Sequence, residues 1–266
     1  MRALQYRFPM LGVLIVLGGC GGGGDSAIPP PPPANASPGG VWTGVDAISA
    51  TPVLGLVAET GDLFFSAEGP TTQGVYYVGK FVTDGNAINA NVDAVTAPFS
   101  IYPDRATSGT GTLGGQIAAR MSITGSVSIN TDAATSIVGG QDFSTPVSVT
   151  FSNQYNRPSS LATIAGNYGP GSLALSISGS GVLSARDAGT GCVISGTVGT
   201  IDTNYNMYAV SLTTVGCATE FNVPDGAQLK GLATLNDSQS PEYVIIGAAD
   251  TIGPTKSALM ITMNRT

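Results

Sequence analysis

Three cysteines, Cys20, Cys192 and Cys217, are the residues of this sequence with the widest choice of chemistry. A cysteine can act as a nucleophile, bind a metal, accept a lipid or form a disulfide. Histidine is absent from all 266 residues. Its absence removes the usual general base, the Ser-His and Cys-His nucleophile pairs, and imidazole metal ligands. The sequence therefore predicts no catalytic residue, no cofactor and no metal site.

Two short segments have the letter pattern of ligand-binding loops without the required context. Residues 109–114 read GTGTLG, but a dinucleotide loop needs a strand before it and a helix after it. Here a loop-like YPDRATS precedes it and a run with strand periodicity follows. The segment from Asp202 to Asn206 begins like a calcium loop, yet Met207 and Thr213 replace the required Gly and Glu. We interpret both segments as loops or turns.

The first twenty residues have the features of an export signal. Arg2 and Arg7 give the chain a positively charged start, and an apolar run from Phe8 to Leu17 follows them. This run is too short to span a bilayer, and small residues come after it. The sequence LGGC, which ends at Cys20, resembles the lipobox of bacterial lipoproteins. That resemblance implies a signal peptide over 1–19 that is cut before Cys20. It also implies acyl chains such as palmitate on Cys20, and two or more chains give a stable membrane anchor.

The residues after Cys20 predict a location and a tether. Members of that family that carry Asp directly after the cysteine tend to stay in the inner membrane, and this chain has Gly21. The resemblance therefore implies an outer-membrane anchor, with the protein facing the periplasm or the cell surface. Residues 21–40 read GGGGDSAIPPPPPANASPGG, a composition that cannot form a core. We predict a disordered Gly/Pro linker over 20–40 and a folded body from 41 onward.

Cys192 and Cys217 form an even pair in a chain with an export signal, which favours a disulfide. The residues between them alternate in polarity as two strands, with a turn around Asp202 to Asn204. A hairpin folded about Asn204 brings the two cysteines opposite each other. The polarity pattern does not place both on the apolar face, so we expect a β-bulge near Thr213 to correct the register.

The rest of the chain predicts an all-β fold. Segments such as MSITGSVSI, PVSVTF, LALSI and LMITM alternate apolar and polar residues with a period of two, and Gly, Asn and Asp separate them. VYYVGKFV is apolar on both faces, which suggests a strand covered on both sides. This pattern is typical of an antiparallel barrel or sandwich. One short helix is expected at 159–166, capped by Ser159 or Ser160.

The body also shows signs of two similar halves. We expect a first β domain over 41–157 and a second, which carries the disulfide hairpin, over 158–266. GGVWTG and IAGNYG would each start a half, and the alignment pairs Gly61 with Gly181, Leu63 with Leu183, Val57 with Ile177, and Gly125 with Gly231. VWTG, LATIAGNYG, GCVISGTV and ATLNDS together resemble proteobacterial lipoproteins that carry small β-barrel units behind a glycine-rich linker. A more distant, purely architectural likeness is to surface lipoproteins that bind host factor H or transferrin.

Composition narrows the classes of partner. The formal net charge is −7 and only 10% of residues are charged, so the chain offers no footprint for nucleic acid. We expect a lipid-anchored envelope protein that presents a binding or structural surface to an envelope or host protein and has no catalytic activity. Two alternatives remain at this point: an integral outer-membrane β-barrel, and a hydrolase that works through carboxylates without histidine.

Overall fold

The computed structural model describes residues 34–46, 50–69, 72–169, 171–252 and 255–266. The expected all-β fold is confirmed, since sixteen strands form two eight-stranded antiparallel sheets within one compact unit, Ala34–Thr266. Helical structure in the described residues is limited to the short helices α1 (Leu161–Ile164) and α2 (Ala218–Phe221) and one 3-10 turn, Asn153–Asn156. The side chain of Ser160 caps α1 by accepting a hydrogen bond from the Thr163 amide, as the sequence suggests.

The first sheet is a closed barrel in which each strand pairs with the next and β1 pairs with β8. Its strands are β1 (Gly40–Asp46), β2 (Pro52–Val57), β3 (Asp62–Gly69), β4 (Thr72–Asp84), β5 (Ala87–Thr96), β6 (Ser108–Ala118), β7 (Ser122–Thr131) and β8 (Asp142–Ser152). Apolar residues alternate with polar ones along these strands, so that one apolar face of the sheet lines the interior of the barrel. On β7, Ile123, Val127 and Ile129 face the core, whereas Ser126 and Ser128 are exposed.

The second sheet has the same strand order and curls into an incomplete barrel, whose first and last strands do not pair in a continuous ladder. Its strands are β9 (Gly166–Tyr168), β10 (Leu173–Ile177), β11 (Val182–Asp187), β12 (Val193–Thr200), β13 (Tyr208–Val215), β14 (Gln228–Asn236), β15 (Tyr243–Asp250) and β16 (Ser257–Asn264). A single bridge joins Tyr168 to Arg265 at the junction between the first and last strands. Two further backbone hydrogen bonds run from Gly169 to Asn264 and from Thr266 to Asn167.

The two barrels pack against each other through outward-facing side chains. Phe64 of β3 and Tyr76 of β4 lie in one apolar cluster with Ala249 and Ala258 of the second sheet. The ring of Phe64 rests on Gly247, where a Cβ atom would come within 2.3 Å of the ring. This contact explains why β15 is buried along its whole central part, since one face meets its own core and the other meets the first barrel. The two-sided apolar pattern of β4 has the same cause.

The packed part of the chain begins earlier than the sequence suggests. The Ala36 amide donates to the Gly85 carbonyl at 2.9 Å, and Asn35 Oδ1 accepts from the Gly85 amide at 2.9 Å. Trp42, which is fully buried inside the barrel, donates from Nε1 to the Pro38 carbonyl. A disordered linker that reaches residue 40 is therefore wrong for its last part, because these polar and apolar contacts fix residues 35–39 on the barrel. Residues 20–33 of the expected linker lie outside the described residues.

The proposed repeat is supported at one turn and corrected at another. Gly61 and Gly181 both adopt positive φ angles, 89° and 82°, in the turns that join β2 to β3 and β10 to β11. The amide of each glycine donates to the carbonyl of the residue three positions before it, and its carbonyl accepts from an amide of a later strand. Gly125, however, lies on β7 whereas Gly231 lies on β14, the counterpart of β6. That pairing was wrong by one strand, because Gly-rich strands look alike in sequence. The expected domain boundary, 157/158, falls between the two sheets.

Candidate functional site

The two ends of the first barrel differ in what fills them. Large side chains occupy the end where β2 meets β3 and β6 meets β7, which we call the closed end; they include Trp42, Leu63, Phe81, Ile88, Ile117 and Ile123. Several inward positions towards the other end are occupied by small residues, Ala67, Ala94, Gly109 and Gly111 among them. We call this second end the open end, because the difference in side-chain volume leaves space there.

A cavity of about 350 Å³ lies inside the open end of the first barrel. Its walls are mostly apolar and come from seven of the eight strands, with Val53, Phe65, Ala67, Val75, Leu113, Val127 and Val147 as the apolar lining. Gly55 makes room for one of these walls, since a Cβ atom there would lie 2.4 Å from the Phe65 ring. An eight-stranded barrel is just wide enough to hold one small ligand when its interior is not completely filled.

At its rim the cavity meets a second one of about 420 Å³, which shares Asp46, Tyr77 and Thr145 with it and is also lined by Tyr102 and Phe143. Asp46, the last residue of β1, is 8% exposed, and Thr145 donates a hydrogen bond to its carboxylate at 3.4 Å. Tyr77 lies beside it, and burial together with the charge of Asp46 raises the pKa of Tyr77 to about 12. Tyr102 stacks on Phe143 with ring centroids 5.4 Å apart. Burial, with smaller contributions from Tyr77 and two carboxylates, raises the pKa of Tyr102 well above its usual value.

Ordered loops hold this rim in place. Asp104, in the β5–β6 loop, accepts hydrogen bonds from the Thr131 hydroxyl at 2.5 Å and from the Ala106 amide at 3.2 Å. Burial alone would raise the pKa of Asp104, but these hydrogen bonds outweigh it and keep the pKa below its usual range. The Ile137 amide of the β7–β8 loop donates to the Asp104 carbonyl. Phe99, at a φ of 62° and 86% exposed, projects from the same β5–β6 loop.

The residues singled out from the sequence do not meet at this cavity. Cys192 and Cys217 form the expected disulfide, with Cα atoms 4.4 Å apart and both side chains fully buried in the core of the second sheet. Cys20 lies outside the described residues, so its lipidation stays a prediction. The GTGTLG segment, 109–114, lies within β6, so its interpretation as a loop is wrong; Asp202 to Asn206 form the turn between β12 and β13, as interpreted.

The cysteines meet in a different way from the one expected. β12 and β13 pair in continuous register from Val193–Val215 to Thr200–Tyr208, so the β-bulge predicted near Thr213 is wrong. Gly216 instead adopts a φ of 68° directly after β13. This left-handed conformation, which favours glycine, turns the chain so that Cys217 points back to Cys192. The disulfide is therefore a structural bond that joins the two strands of the β12–β13 hairpin at the end opposite its turn.

A second polar cluster lies at the closed end and connects the two sheets. The Arg120 guanidinium lies 4.5 Å from the Tyr205 ring centroid and 5.1 Å from that of Tyr155. It also forms a 2.9 Å ion pair with Glu59. Tyr155 follows β8 and Tyr205 lies in the β12–β13 turn, so this cation–π stack ties the connection between the barrels to the closed end. The cluster is assembled from four separate segments and has the properties of a structural clamp.

Comparison with known proteins found no matching family model, no matching curated protein and no matching solved structure. In the described part of the chain, no group of three or more Asp, Glu or Cys side chains is placed to hold a metal ion. The same residues include no helix long and apolar enough to cross a membrane.

Sequence reasoning missed the cavity and its rim. Asp46, Tyr77 and Tyr102 are far apart in sequence, and only closure of the barrel brings them together. One signal was present: Asp46 lies four residues after Trp42 on β1, at a position where the alternation demands an inward side chain. A carboxylate at an inward position is costly to bury and therefore marks a site of interest.

Proposed function

We propose that this protein is a lipid-anchored protein of the cell envelope that acts by binding, through the open end of its first barrel, and not by catalysis. The observation that carries the proposal is the place where the chain joins the body. Residues 35–39 contact the β4–β5 turn at Gly85 and the β2–β3 turn at Glu59, both at the closed end. A tether that leads into the closed end leaves the cavity and its loops free for a ligand.

The length of the chain supports a short tether. Thirteen residues lie between the lipobox cysteine, Cys20, and Ala34, so this segment spans at most roughly 50 Å when fully extended. The packed residues 35–39 shorten the tether relative to a linker that reaches residue 40. Together with Gly21, the lipobox resemblance favours the outer membrane, on its periplasmic or surface side.

The outer wall of the first barrel favours a water-exposed body over an integral membrane barrel. Exposed outward positions of β5 to β8 carry mostly amides and hydroxyls, among them Asn89, Asn91, Thr112, Thr124, Ser126, Ser128, Asn130, Ser144 and Ser148. A membrane-spanning barrel requires the opposite arrangement, with an apolar outer band. The apolar side chains of this barrel face inward instead.

The cavity favours binding over hydrolysis. Among the described residues, Asp46 is the only carboxylate that lines the cavity. Acid–base hydrolysis by carboxylates requires two such groups on opposite sides of the scissile bond. Beside the cavity, the loops expose Phe99 at 86%, Ile137 at 68% and Val138 at 60%. These side chains lie on the β5–β6 and β7–β8 loops at the same end of the barrel, and we assign them to contact with an envelope or host protein.

The anchor is tested by replacing the lipobox cysteine. We expect Cys20→Ser to abolish labelling by palmitate and to release the protein into the soluble fraction. The matched control replaces Cys192 and Cys217 with serine and keeps Cys20, so that it removes cysteines without touching the anchor. This control should still be labelled. Membrane retention of Cys20→Ser after an alkaline wash would contradict the anchor.

The binding surface is tested by a pair of substitutions at the open end. We expect Phe99→Ser combined with Ile137→Ser to lose a partner that the wild-type body captures from envelope extract or host fluid. Val182→Ser is the control, because Val182 is 56% exposed on the second sheet and equally apolar. Equal capture by all three proteins would show that the open end is not the binding surface.

A further inference from the structure

The cavity of the first barrel has the size of a small organic ligand. Its volume of about 350 Å³ is more than twice that of an apolar cavity of about 150 Å³ that accepts benzene. Two fused aromatic rings, or an aliphatic group of similar size, therefore fit within it. The largest wall is the ring of Phe65, and the remaining apolar walls are branched aliphatic side chains and one alanine, Ala67.

Solvent reaches the cavity although its lining points into the barrel. Val75, Tyr77 and Thr145 occupy inward positions on β4 and β8 but are only half-buried. Side chains at the same inward positions towards the closed end, such as Phe81 and Val149, are buried. A small molecule can therefore enter from the open end, and the packed closed end sets how far it penetrates.

The polar side chains of the rim define which polar group a bound molecule must carry. The Tyr102 hydroxyl is buried without a hydrogen-bond partner among the described residues, and the whole residue is only 7% exposed. A buried polar atom without a partner is costly, and a ligand that bonds to it removes this cost. Asp46 contributes a carboxylate at the same rim. A negative charge among apolar walls favours a cation or a hydrogen-bond donor and repels an anion.

We infer that this cavity binds a small apolar amine, with its hydrocarbon part among Phe65, Leu113 and Val147 and its ammonium group between Asp46 and Tyr102. The ammonium group donates to the carboxylate of Asp46 and to the lone pairs of the Tyr102 hydroxyl. The rings of Tyr77, Tyr102 and Phe143 add a cation–π contribution at the rim. The inference rests on the proposed function for the place of binding and adds the chemical class of the ligand.

The experiment compares three probes that share one hydrocarbon and differ in charge. Isothermal titration calorimetry of the soluble body, Ala34–Thr266, which contains all sixteen strands and the disulfide, is performed with 2-naphthylmethylamine, 2-naphthylmethanol and 2-naphthoate. We expect the amine to bind most tightly, the alcohol less tightly, and the carboxylate at least about tenfold more weakly than the amine.

Three variants locate the bound amine. Ala67→Leu adds bulk inside the cavity and should abolish binding, whereas Ala87→Leu, at an exposed position of β5, should leave it unchanged. Tyr102→Phe removes only the hydroxyl and should weaken binding about fivefold. Its control is Tyr243→Phe on the second sheet. Asp46→Asn should reduce the difference in affinity between the amine and the carboxylate.

The outcomes separate this inference from the proposed function. Absence of binding for all three probes at up to about 1 mM would overturn the inference. Equal affinity for the amine and the carboxylate, or amine binding that survives Ala67→Leu, would also overturn it. The wild-type series decides the charge preference even where a variant fails to fold. None of these results bears on the anchor at Cys20 or on partner capture by Phe99 and Ile137, which the preceding experiments test separately.

Discussion

Replacing Gly247 with alanine should destabilise the protein through one contact between the barrels. Gly247 lies on β15 beneath the ring of Phe64, and a Cβ atom there would approach Phe64 Cδ1 to 2.3 Å and Cε1 to 2.6 Å. Phe64 is 2% exposed and cannot move away without losing its packing on Tyr76. Overpacking of this kind costs about 1–3 kcal/mol of unfolding free energy.

The same substitution should change sign when Phe64 is removed. Phe64→Ala by itself should cost about 3–5 kcal/mol, the range for a buried aromatic residue. In that background the space above Gly247 is empty, and an alanine in a strand is favoured over glycine by about 0.5–1 kcal/mol. The coupling between the two substitutions should therefore reach about 1.5–4 kcal/mol, as expected of residues in direct contact.

A double-mutant cycle measured by denaturant unfolding tests this reasoning. Gly199→Ala is the matched control, because Gly199 lies on β12 of the same sheet and a Cβ atom there would meet nothing within 4 Å. It should be neutral or slightly stabilising in both backgrounds. If Gly247→Ala and Phe64→Ala were additive, the two barrels would not be packed through this contact.

Three further predictions concern other parts of the body. Replacing Cys192 and Cys217 with alanine should lower the free energy of unfolding by about 3.5 kcal/mol, from chain entropy at a separation of 25 residues, and unchanged stability in denaturant would contradict this. Deleting residues 34–39 should lower the melting temperature, because Trp42 loses its acceptor at Pro38, whereas deleting residues 21–33 should not. The free energy of unfolding should fall as the pH rises from about 10 towards 12, because ionisation of a tyrosine whose folded pKa is raised favours the unfolded state. The tyrosines with raised pKa values are Tyr76, Tyr77, Tyr102, Tyr155, Tyr168 and Tyr208. Absorbance at 295 nm should show that they ionise together with unfolding. Their ionisation near pH 10 in the folded protein would contradict this prediction.

The alternation of apolar and polar residues was sufficient to predict the fold class and much of the core. It works because an inward position on a strand repeats every two residues, as on β7 and β11. Met121 shows the limit of this pattern: it has the right parity for the core face but lies in the β6–β7 turn and is 70% exposed. Alternation therefore predicts which face of a strand a side chain lies on, but it does not predict where the strand ends.

Features that depend on long-range packing could not be predicted. The disulfide was predicted because its two cysteines flank one hairpin, whereas the turn that unites them depends on the φ angle of Gly216. The cavity depends on where small residues lie along the axis of a closed barrel, and the rim depends on loops that meet only after closure. The start of the packed chain was misjudged because a Pro- and Gly-rich composition describes residues 35–39 without showing that Gly85 and Trp42 bind them.

The incomplete closure of the second sheet has a consequence for aggregation. A strand edge with unpaired amides and carbonyls can recruit a strand from another molecule, and a fully closed barrel has no such edge. In the described residues, the ladder between β9 and β16 is limited to the bridge at Tyr168 and Arg265 and its neighbouring bonds. The first barrel holds β16 in place, because Ala258 packs in the interface and Lys256 forms an ion pair with Asp93 at 3.1 Å. Substitutions that loosen the interface between the barrels should therefore expose an unpaired strand edge. Their first visible effect in the cell should be insoluble protein.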